Sequence, residues 1–260
     1  MDNRCGQHWI LLRGLARESA HWGNFVPQLQ ASFPSATITA LDLPGTGRFF
    51  QQSGPNRIPA IAEQVRTNAH EQGLPGQPVM ILAVSLGAMV AWEWLQRYPG
   101  DSCGAVFINT SFASLSPFYQ RLRWQSYLKL FALPGHRDIY QRELEIVKLV
   151  SNQEKHYEEF AKDWANIQIA RPLSLRNTIN QLVAAATYRP AKAKPKTPVL
   201  LLNSKSDRLV SPVCSEAIQK QWNLDLRTHP WAGHDLTLDD GAWVIAQLQQ
   251  WMANQHSSFG

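Results

Sequence analysis

The chain has 260 residues, enough for one large α/β domain or for a domain with a small insert. Hydrophobic residues make up 44% of it, which is enough for a sizeable core, yet no apolar run reaches the roughly 18 residues of a membrane-spanning helix. The net charge is +5. No nucleic-acid-binding motif accompanies the basic stretch from 189 to 196, so we interpret it as a solvated linker and expect no nucleic-acid partner.

The N-terminal segment and the cysteines give two further expectations. The first seven residues lack the apolar core of a signal peptide, so we expect a cytoplasmic protein. Cys5, Cys103 and Cys214 lie far apart and show no metal-ligand spacing, and an odd number of cysteines argues against a disulfide framework. We therefore interpret all three as small core or surface residues and expect no metal site.

Short apolar runs and helical patterns alternate along most of the chain. The predicted strands cover residues 9–12, 37–41, 79–82, 105–108, 199–202 and 224–227. The predicted helices between and after them cover residues 19–33, 58–73, 86–98, 212–222 and 239–253, and Asp239 or Asp240 caps the last one. Alternation of this kind predicts an α/β fold, with a mostly parallel sheet covered by helices on both faces.

The alternation of predicted strands and helices stops between the fourth and fifth strands. Residues 112–189 contain no comparable strand run, and their apolar and aromatic residues fall at helical spacing. We expect a helical insert there, with residues 1–111 and 190–260 forming the core.

A serine lies on the link between the third strand and the next helix. The sequence Ala83-Val84-Ser85-Leu86-Gly87 follows an apolar run and opens the helix of residues 86–98. A nucleophilic serine on such a tight turn needs small residues two places before and after it, and Ala83 and Gly87 meet that need. A capping serine at a helix start is the alternative.

A serine nucleophile needs a base and an orienting acid, in the chain order Ser, Asp or Glu, His. Asp207 follows the fifth strand and His234 follows the last strand, so both lie at the edge of the sheet where Ser85 is expected. His229 and Asp42 are the competitors. We expect a structural role for His229, and turn formation for Asp42 because it precedes Pro44-Gly45.

With these residues, the chain resembles the serine hydrolases of the α/β-hydrolase fold, in their esterase and thioesterase-like branch. The resemblance spans essentially the whole chain and includes the Asp-x-Pro-Gly-x-Gly turn from Asp42 to Gly47. It implies that residues 112–189 form a cap domain over the site. It also implies an oxyanion hole formed by the backbone N–H groups of Leu15 and Leu86.

The pocket is harder to assign. The family usually has His-Gly where this chain has Arg13-Gly14. Arg13 either braces its loop through backbone carbonyl groups or attracts an anionic substrate. His21, Phe112 and Trp124 are further candidate pocket residues, although most aromatic side chains of the insert are expected in its own core.

The expected activity is hydrolysis of an ester or thioester of a small to medium acyl compound through Ser85, His234 and Asp207, without a metal or organic cofactor. Carbon–carbon bond hydrolysis, acyl transfer to another acceptor and elimination remain alternatives, because one triad supports several reactions. A ligand-binding receptor that does no chemistry is a further alternative, but it would not need an activated nucleophile.

Overall fold

The computed structural model describes residues 7–73 and 76–257. Six strands form one sheet in the order β2-β1-β3-β4-β5-β6, and every neighbouring pair is parallel. The strands are β1 (His8–Leu12), β2 (Thr37–Leu41), β3 (Val79–Val84), β4 (Ser102–Ile108), β5 (Val199–Ser204) and β6 (Asp225–His229). The predicted fold class and all six predicted strands are confirmed.

Ten α-helices connect and cover the strands in the described part of the chain. They are α1 (Phe25–Ser32), α2 (Ile58–Glu71), α3 (Leu86–Arg97), α4 (Phe118–Arg121), α5 (Tyr127–Ala132), α6 (Ile139–Val150), α7 (Tyr157–Ala170), α8 (Leu175–Thr187), α9 (Val213–Trp222) and α10 (Leu236–Ser257). Among these residues, no helix combines the length and apolar character that crossing a membrane requires.

The central strands are apolar because both of their faces are covered. All six residues of β3 are buried. Successive side chains point to opposite faces, so Ile81 and Ala83 join one core cluster whereas Met80 and Leu82 join the other. Strands covered on both faces read as continuous apolar runs, which explains why they were recognisable in the sequence.

Two helices differ from their predicted bounds by more than two residues. The segment predicted as one helix over residues 19–33 is a 3₁₀ turn, Ser19–Trp22, followed by α1, because Gly23 leaves the helical region with φ 48°. Helix α10 begins at Leu236 and kinks at Asp240. The predicted cap lies at this kink, where the Asp240 carboxylate accepts a hydrogen bond from the N–H of Trp243 at 2.9 Å.

Helices α4–α8 form the helical insert between β4 and β5. Val147, Ala161 and Trp164 form the centre of a small core of its own. Polar side chains join the insert to loops that follow the strands. Asn177 of α8 contacts the loop after β2, and Asn152 contacts carbonyl groups in the loops after β5 and β6. The insert therefore lies over the carboxyl edge of the sheet.

The two cysteines within the described residues differ in their bonding state. Cys5 lies outside the described residues. Cys214 is free and buried, and burial raises the pKa of its thiol to about 11, so it remains a protonated packing residue at neutral pH. Cys103 is disulfide-bonded, so the interpretation as a simple packing residue is wrong for this position.

Candidate active site

Ser85 lies on the tight turn between β3 and α3. Its backbone has φ 54° and ψ −115°, a conformation that costs free energy in any residue with a Cβ atom. Hydrogen bonds hold both of its backbone polar groups: its N–H donates to the carbonyl of Ile108 at 2.8 Å, and its carbonyl accepts from the Thr110 hydroxyl at 2.9 Å. A strained serine that the next strand holds in place is typical of a nucleophile rather than of a simple helix cap.

The small residues around this turn allow the loop after β1 to approach it. A Cβ atom on Gly87 would lie 2.5 Å from the carbonyl oxygen of Arg13, so only glycine fits there. A Cβ atom on Gly14 would lie 3.2 Å from the Cβ atom of Ser85. The loop that begins at Gly14 therefore borders the serine side chain.

Two backbone N–H groups are available beside Ser85. Leu86 is the first residue of α3, and the first N–H groups of a helix have no acceptor within it. In the loop after β1, the N–H of Ala16 donates to Gln181 at 2.8 Å and that of Arg17 donates to Gly14 at 3.3 Å. Among the described residues, the N–H of Leu15 has no such partner.

Asp207 and His234 meet at the same edge of the sheet. The His234 Nδ1 atom lies 2.7 Å from the Asp207 carboxylate, and both side chains are buried. The other carboxylate oxygen of Asp207 accepts hydrogen bonds from the N–H groups of Leu209 at 2.7 Å and Val210 at 2.9 Å. These two backbone donors fix the carboxylate, which in turn orients the imidazole.

The buried carboxylate controls the charge of this histidine. Burial alone would lower the pKa of His234, but the charge of Asp207 and its hydrogen bond outweigh burial and raise the pKa above its ordinary value. Because Nδ1 faces the carboxylate, Nε2 is the nitrogen that can accept a proton.

Asn109 connects the elements that carry these residues, and sequence reasoning missed it. It follows β4 with φ 49°. Its Nδ2 atom donates to the carbonyl of His234 at 2.8 Å, and its Oδ1 atom accepts from the N–H of Ser204 at 2.9 Å. Its neighbour Thr110 holds Ser85, so one short segment supports both turns. Its signal was a pair of polar residues directly after a buried strand.

Arg13 is locked in a buried ion pair. Its guanidinium donates to Asp235 and lies 4.8 Å from the centre of the Trp22 ring. Burial opposes ionisation of Asp235, but Arg13 holds the pKa of that carboxyl below its ordinary value. Arg13 therefore braces the residue next to His234. The Arg13 guanidinium thus contacts the Asp235 carboxylate instead of the backbone carbonyl groups that the sequence led us to expect. Its charge is buried and paired, so it is not available to attract a substrate.

The loop after β1 is joined to the insert by charged side chains. Arg17 pairs with Glu143 of α6 at 2.9 Å and lies 4.2 Å from the ring centre of Trp164 in α7. Glu18 accepts a hydrogen bond from Arg171, which follows α7, at 2.7 Å. The proposed oxyanion loop and the insert are thus held as one unit.

The comparisons with known proteins agree with this architecture. A model of the alpha/beta hydrolase family matches residues 9–247. The chain belongs to this family. No curated protein matches the sequence.

The solved structures of esterases share the fold of this alpha/beta hydrolase. One from Exiguobacterium antarcticum superposes with a TM-score of 0.77 at 15% identity, covering 95% of this chain and 92% of the other. A thermophilic esterase from Thermogutta terrifontis gives 0.72 at 16% identity, with 96% and 90% covered. An esterase from a Rhodococcus species gives 0.73 at 15% identity, with 95% and 90% covered.

Three of the candidate pocket residues of this alpha/beta hydrolase, Phe112, Trp124 and His21, lie in three different environments. Phe112 is completely buried against Trp92, Tyr188 and Trp222, so it belongs to the core below the insert. Trp124 is 65% exposed and lines a cleft together with Tyr119, Arg123 and Lys205. The pocket assignment of Phe112 is therefore corrected, because the sequence shows that this residue is aromatic but not that it points into the core; the assignment of Trp124 stays a prediction.

His21 is buried between the loop after β1 and the insert. Its Nδ1 atom accepts the N–H of Glu18 at 3.1 Å, and its ring meets the edge of Trp164. Burial, followed by the nearby charges of Arg17 and Arg13, lowers its pKa well below the ordinary value. His21 is therefore a neutral packing residue at this interface at neutral pH.

The competitors of His234 and Asp207 have structural contacts. His229 is buried, contacts Asp240 at 3.1 Å and accepts the N–H of Ala232 at 3.0 Å. Asp42 accepts the N–H groups of Ser19 and Arg48 at 2.7 and 2.9 Å, which fixes its turn. The described residues contain no cluster of three or more His, Cys, Asp or Glu side chains placed to hold a metal ion.

Proposed function

We propose that this alpha/beta hydrolase is a serine hydrolase that cleaves an ester or thioester of a small to medium acyl compound. The observation that carries the proposal is the strained turn at Ser85, at the sheet edge where His234 contacts Asp207 at 2.7 Å. Asn109 and Thr110 support it, because they bind the His234 loop and the Ser85 turn from one segment.

The proposed reaction begins with proton transfer from the Ser85 hydroxyl to Nε2 of His234 as the serine oxygen attacks the acyl carbonyl. Asp207 keeps the proton of the imidazole on Nδ1 and stabilises the imidazolium that forms. The leaving alcohol or thiol takes the proton from His234. Water then attacks the acyl-enzyme, and the same histidine accepts a proton from that water. The bond between the acyl carbon and the Ser85 oxygen then breaks, His234 returns the proton to Ser85, and the carboxylic acid leaves.

The N–H groups of Leu15 and Leu86 are proposed as the oxyanion hole. Leu86 follows Ser85 in the chain and Leu15 follows Gly14, which lies against Ser85; within the described residues, neither N–H donates to a carbonyl of its own turn. Donors of this kind act through backbone atoms, so Arg13 at the position of the usual histidine does not remove them. The loss of one such donor typically lowers turnover about 10²- to 10³-fold.

We further propose that residues 112–189 form a cap and that the substrate binds between this cap and the sheet edge. The hydrogen bonds from Asn152 and Asn177 to loops at that edge support this position. A cover of this kind excludes bulk water and limits the size of the substrate.

The first test is covalent labelling of Ser85 with a fluorophosphonate, combined with p-nitrophenyl ester and acyl-thioester assays. The wild-type protein is expected to be labelled at Ser85, and Ser85→Ala to lose both labelling and hydrolysis by several powers of ten. Ser111→Ala is the control, because Ser111 is a buried serine in the segment after β4, the strand next to β3. Labelling that persists in Ser85→Ala, or activity within about tenfold of the wild type, would contradict the proposal.

A further inference from the structure

The surface formed by the insert and the loop after β5 carries large apolar side chains among positive charges that have no acidic partner within the described residues. The exposed fractions are 54% for Phe118, 58% for Tyr119, 65% for Trp124 and 85% for Leu128. The cationic side chains that line the neighbouring clefts are Arg123, Lys129, Lys205 and Arg208. We call these eight residues the aromatic–basic face.

Six of these residues line two clefts that share Arg123, and Phe118 and Leu128 are the chain neighbours of Tyr119 and Lys129. A cleft of about 370 Å³ is lined by Tyr119, Trp124, Arg123 and Lys205, among others. A second cleft of about 230 Å³ contains Arg123 again, with Lys129 and Arg208. Two backbone hydrogen bonds of 2.8 Å join the two chain segments: the N–H of Arg123 donates to Leu209, and the N–H of Ser211 donates to Gln120.

The positive charge of this face is not neutralised within the described part of the chain. Arg123 and Arg208 donate to the carbonyl groups of Asp207 and Lys148, which fix the side chains but carry no net charge. The residues that line the two clefts include no Asp or Glu. The sequence contains no acidic residue between Asp101 and Asp138, although the insert helices α4 and α5 lie in this interval.

We propose that the aromatic–basic face binds the surface of an anionic phospholipid bilayer. Trp and Tyr side chains favour the interface between membrane and water, and unpaired cations are attracted to anionic head groups. Leu128 and Phe118 have no polar side-chain atom, so a hydrocarbon boundary is a better partner for them than water. Stacking and positive charge also suit single-stranded nucleic acid, but Leu128 offers no stacking surface and favours lipid.

A second exposed apolar surface gives a matched comparison. Ile169, Leu175, Ile179, Leu182 and Val183 are exposed on α7 and α8 and include no aromatic residue. If exposed apolar area alone caused membrane binding, this second surface would contribute equally. The proposal requires the aromatic–basic face specifically.

The test is co-sedimentation of the full chain with vesicles, measured in the Ser85→Ala background so that no lipid can be hydrolysed. The protein is expected to sediment with vesicles of phosphatidylcholine and phosphatidylglycerol, and much less with phosphatidylcholine alone. Lys129→Gln with Lys205→Gln should weaken binding about thirtyfold, because each cation near an anionic surface contributes about 1 kcal/mol. Higher salt should also weaken binding.

The apolar contribution is tested by Trp124→Ser with Leu128→Ser, which should abolish most of the remaining binding. The control is Leu175→Ser with Ile179→Ser on α8, which should bind as the parent protein does. Thermal unfolding of each variant verifies that it is folded.

Three outcomes would overturn the proposal. They are equal binding to both kinds of vesicle, an α8 variant that loses as much binding as the Trp124 variant, and release of the protein from the vesicles by single-stranded nucleic acid. None of these measurements depends on catalysis, so failure of the serine hydrolase assignment would leave the result interpretable.

Discussion

Two hydrogen bonds, one to the main chain and one from the Thr110 hydroxyl, offset the strain in the backbone of Ser85. A residue held at a positive φ in this way typically costs about 1–3 kcal/mol and persists only where its surroundings over-determine it. Here the N–H and the carbonyl of Ser85 are both engaged by the segment 108–110. The side-chain oxygen is consequently free of any role in holding the turn, which is the condition for its use as a nucleophile.

The histidine and its acid give a prediction about pH. Because Asp207 raises the pKa of His234 against the effect of burial, the imidazole stays protonated to a higher pH than an ordinary histidine. Only the neutral imidazole can act as base, so kcat/KM should increase with pH, with an inflection above the ordinary value of about 6.5.

The corresponding variant is Asp207→Asn. It removes the charge that raises the pKa but leaves the burial that lowers it, so the inflection should move to lower pH. Turnover should fall by a factor on the order of 10⁴, because the imidazole loses the partner that selects its tautomer. Asp42→Asn is the control, since its carboxylate contacts Ser19 and Arg48 and not His234, and its pH profile should match that of the wild type. An unchanged inflection in Asp207→Asn would show that another group sets the pKa.

The sequence could predict Ser85, Asp207 and His234 as candidates because each follows a predicted strand, and the carboxyl ends of parallel strands meet at one edge of the sheet. It could not predict the pairing of Arg13 with Asp235. These residues are 222 positions apart, and nothing in either local sequence identifies the other. The same applies to Asn109, whose partners lie after β5 and β6.

At the scale of elements, predicted strands were more accurate than predicted helix bounds. A strand covered on both faces shows a short apolar run whatever its neighbours are. The break at Gly23 and the kink at Asp240 depend on local backbone geometry and on tertiary contacts. Within the insert, helical spacing identified helices but could not show that Phe112 is buried in the core whereas Trp124 is mostly exposed.

The ion pair between Arg17 and Glu143 gives a prediction about how the insert is attached. Both side chains are almost completely buried and lie 2.9 Å apart. Burial lowers the pKa of Arg17, which reflects the cost of placing its charge there. Removing one partner of such a pair typically costs 3–5 kcal/mol, about the cost of leaving a buried charge unpaired.

Arg17→Met and Glu143→Met should therefore each be strongly destabilised in urea unfolding, whereas the double variant should be less destabilised than either. The partly exposed pair of Glu145 and Lys148 on α6, at 2.8 Å, is the control. Its disruption should change the free energy of unfolding by about 0.5 kcal/mol or less. Additive losses in the double variant of Arg17 and Glu143 would mean that the two charges act independently.

At the scale of the whole molecule, the insert is attached to the loops after β1, β2, β5 and β6 rather than at one point. Arg17, Glu18 and Asn177 provide contacts near the first two strands, and Asn152 and Ser151 provide contacts near the last two. These attachments support the proposed cap over Ser85, with the substrate bound between the cap and the sheet edge.

This arrangement predicts that substrate size, rather than ester chemistry alone, limits the reaction. Short and medium p-nitrophenyl esters should be hydrolysed, and kcat/KM should decrease when the acyl chain exceeds the enclosed space. The same acyl group attached to a polymer bead should resist hydrolysis, because a closed cover admits free molecules and excludes polymers. The measurement compares each soluble ester with its bead-attached form at equal ester concentration. Equal rates for the two forms would mean that Ser85 is reached from an open surface, and that the insert does not act as a cap.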